Sequence, residues 1–332
     1  MYWLRGEGRR IIMKMAIIYN KNEHKFLDSS YSQTYKHMLT ALIKHPKWHS
    51  VNVVEPGEEI PQDTDVIIIY DIHSSYHAEF PNLDAHKALK YTYFNDPHQE
   101  DAQGRYSDGT PLHKLGIKNR VIRAKKRNVD YIICPYKDGY RHFLAPHIGD
   151  GDEEMLFWFP VAPKAQEEFT NRPLIERGPN VLGNGHLWTG KEGFRPYEFR
   201  NWAYRRPNVD YVAHSISDAR VPNGDKYIKF LSKWKASLAL TDWYVVPKYL
   251  EIPLAGCLCF AQFHADYADM GFRSGINYIE VDKATFDERI TSFLQNVDGH
   301  QCIADAGRKL IEDNFTDKHF ASAVYKHAKG LI

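Results

Sequence analysis

Lys248 and Glu251 stand three residues apart in the run VVPKYLEIPLAGCLCFA, residues 245–261. Pro247 falls where a first helical turn tolerates a missing N–H, so the spacing predicts a helix carrying both charges on one face. Gly256 ends that helix, and Cys257 to Ala261 reads as a short apolar strand. A cation on the first turn of a helix that follows a strand makes an anion site, because the helix N-terminus adds its own N–H donors. The plainer reading is an ordinary βαβ helix with a solvated glutamate. A second set of residues suits proton transfer. Asp71 and His73 follow the apolar run VIIIY, residues 66–70, and Asp96 and His98 follow YTYF, residues 91–94. In a parallel sheet both pairs emerge at the carboxyl edges of strands, where ligands bind. Aspartate or histidine there can take a proton from a hydroxyl. Asp96 and His98 are the first candidates for that base and His73 the next. Asp96-Pro97 equally reads as a turn with an Asx cap.

Elements of matching length position these groups. Met15 to Tyr19, Val51 to Glu55, Val66 to Tyr70, Tyr91 to Phe94, Tyr131 to Cys134 and Leu156 to Phe159 read as strands. Helices are expected from about Ser30 to His45, where Tyr31, Tyr35, Met38, Leu39 and Leu42 recur at helical spacing, and over the basic Lys118 to Arg127. Tyr136 to Arg141 reads as a polar surface loop. After the proline- and charge-rich stretch Pro160 to Pro179 the pattern restarts. Strands are expected at Asn180 to Leu182, Val209 to Ala213, Ala236 to Leu240, Cys257 to Ala261 and Tyr278 to Val281. A glycine turn, Gly183-Asn184-Gly185, follows the first of them. Further helices are expected over 196–205, 225–232, 284–296, 299–314 and 317–329. Alternating strands and helices of these lengths imply an α/β class with doubly wound parallel sheets.

The 332 residues allow two domains: 13–165, then a linker over 166–179, then 180–315, with 316–332 as a helix expected to cross back onto the first domain. Residues 1–12 read as an extension ahead of alternative starts at Met13 and Met15. Lys and Arg total 43 against 42 Asp and Glu, which gives no overall charge case for nucleic acid or a membrane. No apolar run reaches the roughly 20 residues of a spanning helix, so membrane insertion is not expected. The four cysteines form no CxxC pair, which reads as reduced thiols and a cytoplasmic setting, host cytoplasm if the chain is viral.

Two such halves with a glycine turn opening the second are the outline of a GT-B glycosyltransferase, two Rossmann-like domains facing across a cleft. From Asp225 onward the chain resembles the C-terminal domain of the CgeB-like, spore-maturation type glycosyltransferases. The residues that carry the resemblance are Tyr227 with Leu231, Lys248-Tyr249-Leu250-Glu251, Gly256, and Phe272-x-x-Gly275-x-Asn277-Tyr278. It covers about residues 180–330 and is looser in the N-terminal half.

The resemblance implies transfer of a sugar from a nucleotide-sugar donor to a hydroxyl acceptor. It implies that Gly183, Asn184 and Gly185 let the backbone approach the donor, and that Lys248 and the helix N-terminus face the diphosphate. Arg195, within the cationic group Lys191, Arg195, Tyr197 and Arg200, is a further diphosphate candidate. Glu251, beside Tyr249, would accept from the ribose hydroxyls, and Thr241, Asp242 and Trp243 would line the base pocket. Related retaining enzymes carry a second glutamate eight residues before the first; Trp243 stands there. The N-terminal half would carry the acceptor site and the base. No cofactor is implied, and no metal, although Asp96, His98, Glu100 and Asp101 are hard-metal ligand types. Two alternatives stand beside this reading. One is a phage-type transferase acting on hydroxymethylated DNA bases, with the basic 118–127 helix tracking phosphates. The other is a non-catalytic protein of the same fold that binds a nucleotide sugar.

Overall fold

The computed structural model describes residues 12–18, 33–70, 80–94, 117–149, 151, 153–166, 172–185, 187, 198–213, 222, 225–241 and 244–332. Two parallel sheets organise them. The first has the order β2-β1-β3-β4-β5-β6, built from β1 (Lys14–Ile18), β2 (Ser50–Val54), β3 (Val66–Ile69), β4 (Leu89–Tyr93), β5 (Tyr131–Cys134) and β6 (Leu156–Trp158). The second runs β11-β10-β9-β7-β8, from β7 (Val181–Gly185), β8 (Asp210–Ala213), β9 (Ala236–Ala239), β10 (Leu258–Ala261) and β11 (Ile279–Glu280). Continuous burial of β3, β9 and β10 explains their unbroken apolar or small-residue runs: helices cover both faces of a parallel sheet.

Each sheet reverses its winding once. In the first, β2 and β3 flank β1; in the second, β8 and β9 flank β7. The carboxyl edge beside such a reversal is an open crevice, because the helices on either side diverge there. At the second sheet that crevice lies between α5 (Glu198–Ala203), which leads from β7 to β8, and α7 (Lys248–Leu254), which leads from β9 to β10.

In the first half, α1 (Gln33–Lys44) buries Tyr35, Met38, Leu39 and Leu42. Its partner is the last helix of the chain. In a single core cluster, Phe320, Ala321, Val324, Tyr325 and Ala328 of that terminal helix (Asp317–Leu331) join the α1 residues and Tyr91 and Tyr93. Its His327 accepts from or donates to the Tyr91 hydroxyl at 2.7 Å, with the ring edge-on to Tyr131. The helix α2 (Ile117–Lys126) follows β4, and its Lys125 ammonium donates to the Ile148 carbonyl at 2.6 Å, so that charge serves the fold.

Two local expectations are corrected. The sequence Gly183-Asn184-Gly185 is the end of β7, not a turn after it, and all five β7 residues are buried. A Cβ at Gly183 would lie 2.8 Å from Val209 Cγ1 and 2.9 Å from the Tyr204 ring, so this glycine lets α5 and the start of β8 close onto the strand. The expected loop at Tyr136 to Arg141 is helical. A short α3 (Lys137–Gly139) continues through a π turn (Tyr140–Leu144) into α4 (Ala145–Ile148). Tyr136, Tyr140, Leu144 and Ile148 are buried at every fourth position, a helical signal that was present in the sequence under its polar neighbours.

Arg177 ties the connecting stretch to the second half. Its guanidinium donates to the carbonyls of Arg172, Trp234 and Ala255 and to Cys257 Sγ, and the residue is 4% exposed. Cys134, Cys257, Cys259 and Cys302 are free thiols, the first three buried. Among the described residues no helix is long and apolar enough to cross a membrane.

Candidate functional site

The crevice at the carboxyl edge of β7 gathers a lysine, an arginine and a glutamate. Lys248 opens α7, and its ammonium reaches across to donate to the Asn184 carbonyl. Gly185 makes this approach possible. Its φ of +144° is a conformation that side-chain-bearing residues rarely adopt, and a Cβ there would stand 2.8 Å from Lys248 Nζ and 3.8 Å from Arg200 Nη1. Arg200 comes from α5 on the other flank. It is 7% exposed, and its Nε donates to the Leu240 carbonyl at 2.8 Å, which locks the guanidinium against the end of β9.

Aromatic hydroxyls hold the strand end in place. Tyr204 donates to the Asn184 carbonyl at 2.8 Å, Tyr211 to the Gly185 carbonyl at 3.1 Å, and Tyr227 to Asn184 Oδ1 at 2.9 Å. Asn184 Nδ2 in turn donates to the Val212 carbonyl at 3.1 Å. Asn184 is therefore a buried fastener between β7, β8 and α6 (Asp225–Leu231), with its side chain committed to the protein.

The crevice holds buried charge. As whole residues Lys248 and Glu251 are only partly buried, but their charged ends lie in the interior. Burial, reinforced by the Arg200 charge and opposed by Glu251, pushes the Lys248 ammonium down to about 7. Burial against the opposing pull of Lys248 pushes the Glu251 carboxyl up to about 7. Lys248 thus meets a second cation, Arg200, as well as the Glu251 carboxyl in a poorly solvated place, where like charges brought together are costly. An anion entering the crevice relieves that cost. Thr241, two residues beyond β9 and 3% exposed, adds a hydroxyl with no hydrogen-bond partner. A buried unpaired hydroxyl costs about 1–3 kcal/mol until something meets it.

The sequence expectations fare unequally here. Gly185, Lys248 and Glu251 converge at one crevice. Gly183 and Asn184 are packing and fastening residues of the strand end. Tyr249 is corrected: it is fully buried, its ring lies edge-on to Tyr267 at 4.9 Å, and its hydroxyl donates to the Gln262 carbonyl, so it belongs to the core. The N–H groups of Tyr249 and Leu250 are taken by the carbonyls of Val246 and Pro247. The α7 side chains, rather than those N–H groups, are what the crevice offers a ligand. Asp96, His98, His73, Arg195, Asp242 and Trp243 lie outside the described residues. Of the cationic run, Arg200 is the member within the described residues, and it reaches the crevice; Tyr204 and Tyr211 were not anticipated. The aromatic spacing of α5 and β8 carries no mark of their hydroxyl role.

Asp138, His264 and Asp266 bring one ligand atom each within 4.8 Å of one another. Asp266 already accepts from the N–H groups of Lys137 and Asp138, which a cation would have to displace.

No family model matches the sequence, and no curated protein matches it. Solved structures do match in fold. HepE from Anabaena, crystallised with UDP-glucose, aligns at a TM-score of 0.57 and 10% identity over 96% of this chain and 100% of its own. A glycosyltransferase from Rickettsia africae aligns at a TM-score of 0.53 and 11% identity over 96% of this chain and 98% of its own. The GtfA/B complex matches 80% of this chain at a TM-score of 0.49 and 13% identity, and the chain spans 57% of that longer protein. Two parallel doubly wound sheets and the match in fold to HepE together establish that the chain has the GT-B fold.

Proposed function

We propose that the chain is a glycosyltransferase that takes a sugar from a nucleotide-sugar donor, with the donor diphosphate held at the carboxyl edge of β7. The observation that carries this reading is the pair Lys248 and Arg200. They approach Gly185 from opposite flanks of the winding reversal, and the Glu251 carboxyl acts on Lys248 as a counter-charge. A nucleoside diphosphate brings negative charge to this pair of cations. In the transfer, the bond from the sugar's anomeric carbon to the diphosphate oxygen breaks and its electron pair stays on the diphosphate. The acceptor oxygen bonds the anomeric carbon and gives up its proton. Charge grows on the leaving group, so cations fixed beforehand lower the barrier without having to reorganise. Glu251, on the same face of α7 as Lys248, is placed to accept from donor hydroxyls. Asp96, His98 or His73 is the proposed base for the acceptor proton. The resemblance to CgeB-like enzymes and the HepE complex with UDP-glucose make UDP-hexoses the first donors to try.

The test is calorimetric titration with a panel of nucleotide sugars and the parent diphosphates, on wild type and Lys248→Met. Binding by wild type that weakens about a hundredfold in the variant is the expected result, as is nucleotide release during turnover. If no nucleotide sugar or nucleoside diphosphate binds wild type at millimolar concentration, the reading fails.

A further inference from the structure

We infer that Asp266 is a pin that sets the spacing of the two halves across the cleft, by capping from the second half a helix that belongs to the first. The helical segment over residues 137–148 begins at the carboxyl edge of β5, and its preceding residue Tyr136 supplies no side-chain cap. The first N–H groups of any helix need acceptors from outside it. Here they come from α8 (Ala265–Asp269), which follows β10 in the other sheet. The Lys137 N–H donates to Asp266 Oδ2 at 2.9 Å, and the Asp138 N–H donates to Oδ1 at 3.2 Å and Oδ2 at 3.4 Å. Asp266 is 1% exposed, and its own N–H donates to His264 Nδ1 at 3.1 Å, so the carboxylate is aimed by its own element.

Weaker contacts surround the pin. The Lys137 ammonium pairs with Asp269 at 2.6 Å and lies 5.2 Å from the Trp158 ring centre. Tyr136 meets Tyr244 edge-on at 5.0 Å. All of these lie on the β5–β6 side of the first sheet and the β9–β10 side of the second. The chain crossings are also made beyond β6: the Ala165 N–H donates to Asp317 Oδ1 at 2.9 Å, and the Asp317 N–H donates to the Pro163 carbonyl at 3.0 Å. The crevice at Gly185 lies on the β7 side of β9, with α7 between it and α8. The pin, the crossings and the packing of Tyr244 and Val246 on the first core therefore fasten the flank of the cleft that carries α7 and α8. A carboxylate on two backbone N–H groups is charge-assisted and directional, so it fixes distance and angle together, which an apolar contact does not.

The test compares wild type, Asp266→Ala and Lys137→Pro by amide hydrogen exchange and small-angle scattering. Proline at the first helical position keeps the helix and removes one donor, and the extended backbone of Tyr136 suits a following proline. In Asp266→Ala, exchange at Lys137 and Asp138 is expected to rise at least about tenfold, with β7 and β10 unchanged and an increased radius of gyration. Lys137→Pro is expected to shift the scattering the same way and decides the matter if Asp266→Ala does not fold. Asp269→Asn, which removes only the exposed ion pair, is expected to leave both readouts as in wild type. Unchanged scattering in Lys137→Pro and Asp266→Ala overturns the inference, as does acceleration spread evenly over both sheets. With donor and acceptor present, the variants are expected to lose kcat while donor Kd holds. That last readout rests on the proposed glycosyl transfer, whereas exchange and scattering judge the pin even if no sugar is transferred.

Discussion

Lys248 and Glu251 pull the stability of the protein in opposite directions along the pH axis. The Glu251 carboxyl titrates near 7 when folded, above its ordinary 4.5, so between those values the folded state holds the extra proton. Stability contributed there is present at low pH and is lost as pH rises toward 7. The Lys248 ammonium titrates near 7 when folded, below its ordinary 10.5, so from 7 upward the unfolded state holds the extra proton and stability rises with pH. Chemical denaturation across pH 5 to 10 is expected to show a shallow minimum near 7, each limb on the order of 1–3 kcal/mol. Glu251→Gln should flatten the acid limb and Lys248→Met the alkaline one. If both limbs survive both substitutions, other groups produce them. Gly185 supplies a second residue-scale prediction. Gly185→Ala forces a strained φ and drives Lys248 from the Asn184 carbonyl. It should cost about 1–3 kcal/mol in urea denaturation and abolish diphosphate binding.

At the scale of elements, the expected alternation of strands and helices holds because apolar runs such as VIII in β3 and LCFA in β10 admit few other fates. The misreadings share a cause. The glycines of VLGNG read locally as a turn, yet Tyr204 and Tyr211 hold the backbone carbonyls of that strand end and Tyr227 holds the Asn184 side chain. The 137–148 helix carries lysine, aspartate and glycine in its first turn and takes its cap from a residue more than a hundred positions later. Arg177 acts at the same scale, because one guanidinium satisfies the carbonyls that end α6 and α7. Arg177→Met leaves the Ala255 carbonyl without this donor and the Trp234 carbonyl with the Cys257 thiol, and should lower stability by about 2–4 kcal/mol. Thermal or urea denaturation checks this, and a loss below about half a kcal/mol would mean water replaces the arginine.

Over the whole molecule, the terminal helix is part of the first core although it follows the second half in sequence. Phe320 is fully buried and lies edge-on to Tyr93 and against Phe159. Phe320→Ala is expected to cost about 3–5 kcal/mol. Because this helix belongs to the N-terminal core, the loss should appear as faster exchange in α1 and β4 before the second sheet is affected. A loss confined to β9 and β10 would contradict that assignment. The division of labour follows from what each level can encode. Hydrophobic period and run length depend on neighbours a few residues apart, so the α/β class, most strand positions and the Lys248–Glu251 face of α7 could be read from the chain alone. Tyr249 could not, because Lys248 and Glu251 face the crevice while the helix turns the Tyr249 ring into the core. Nor could the pairing of Lys248 with Arg200, 48 residues apart in sequence. The winding reversal at β7 brings α5 and α7 to the two sides of Gly185, and only there do two cations become neighbours in a place too dry to screen them.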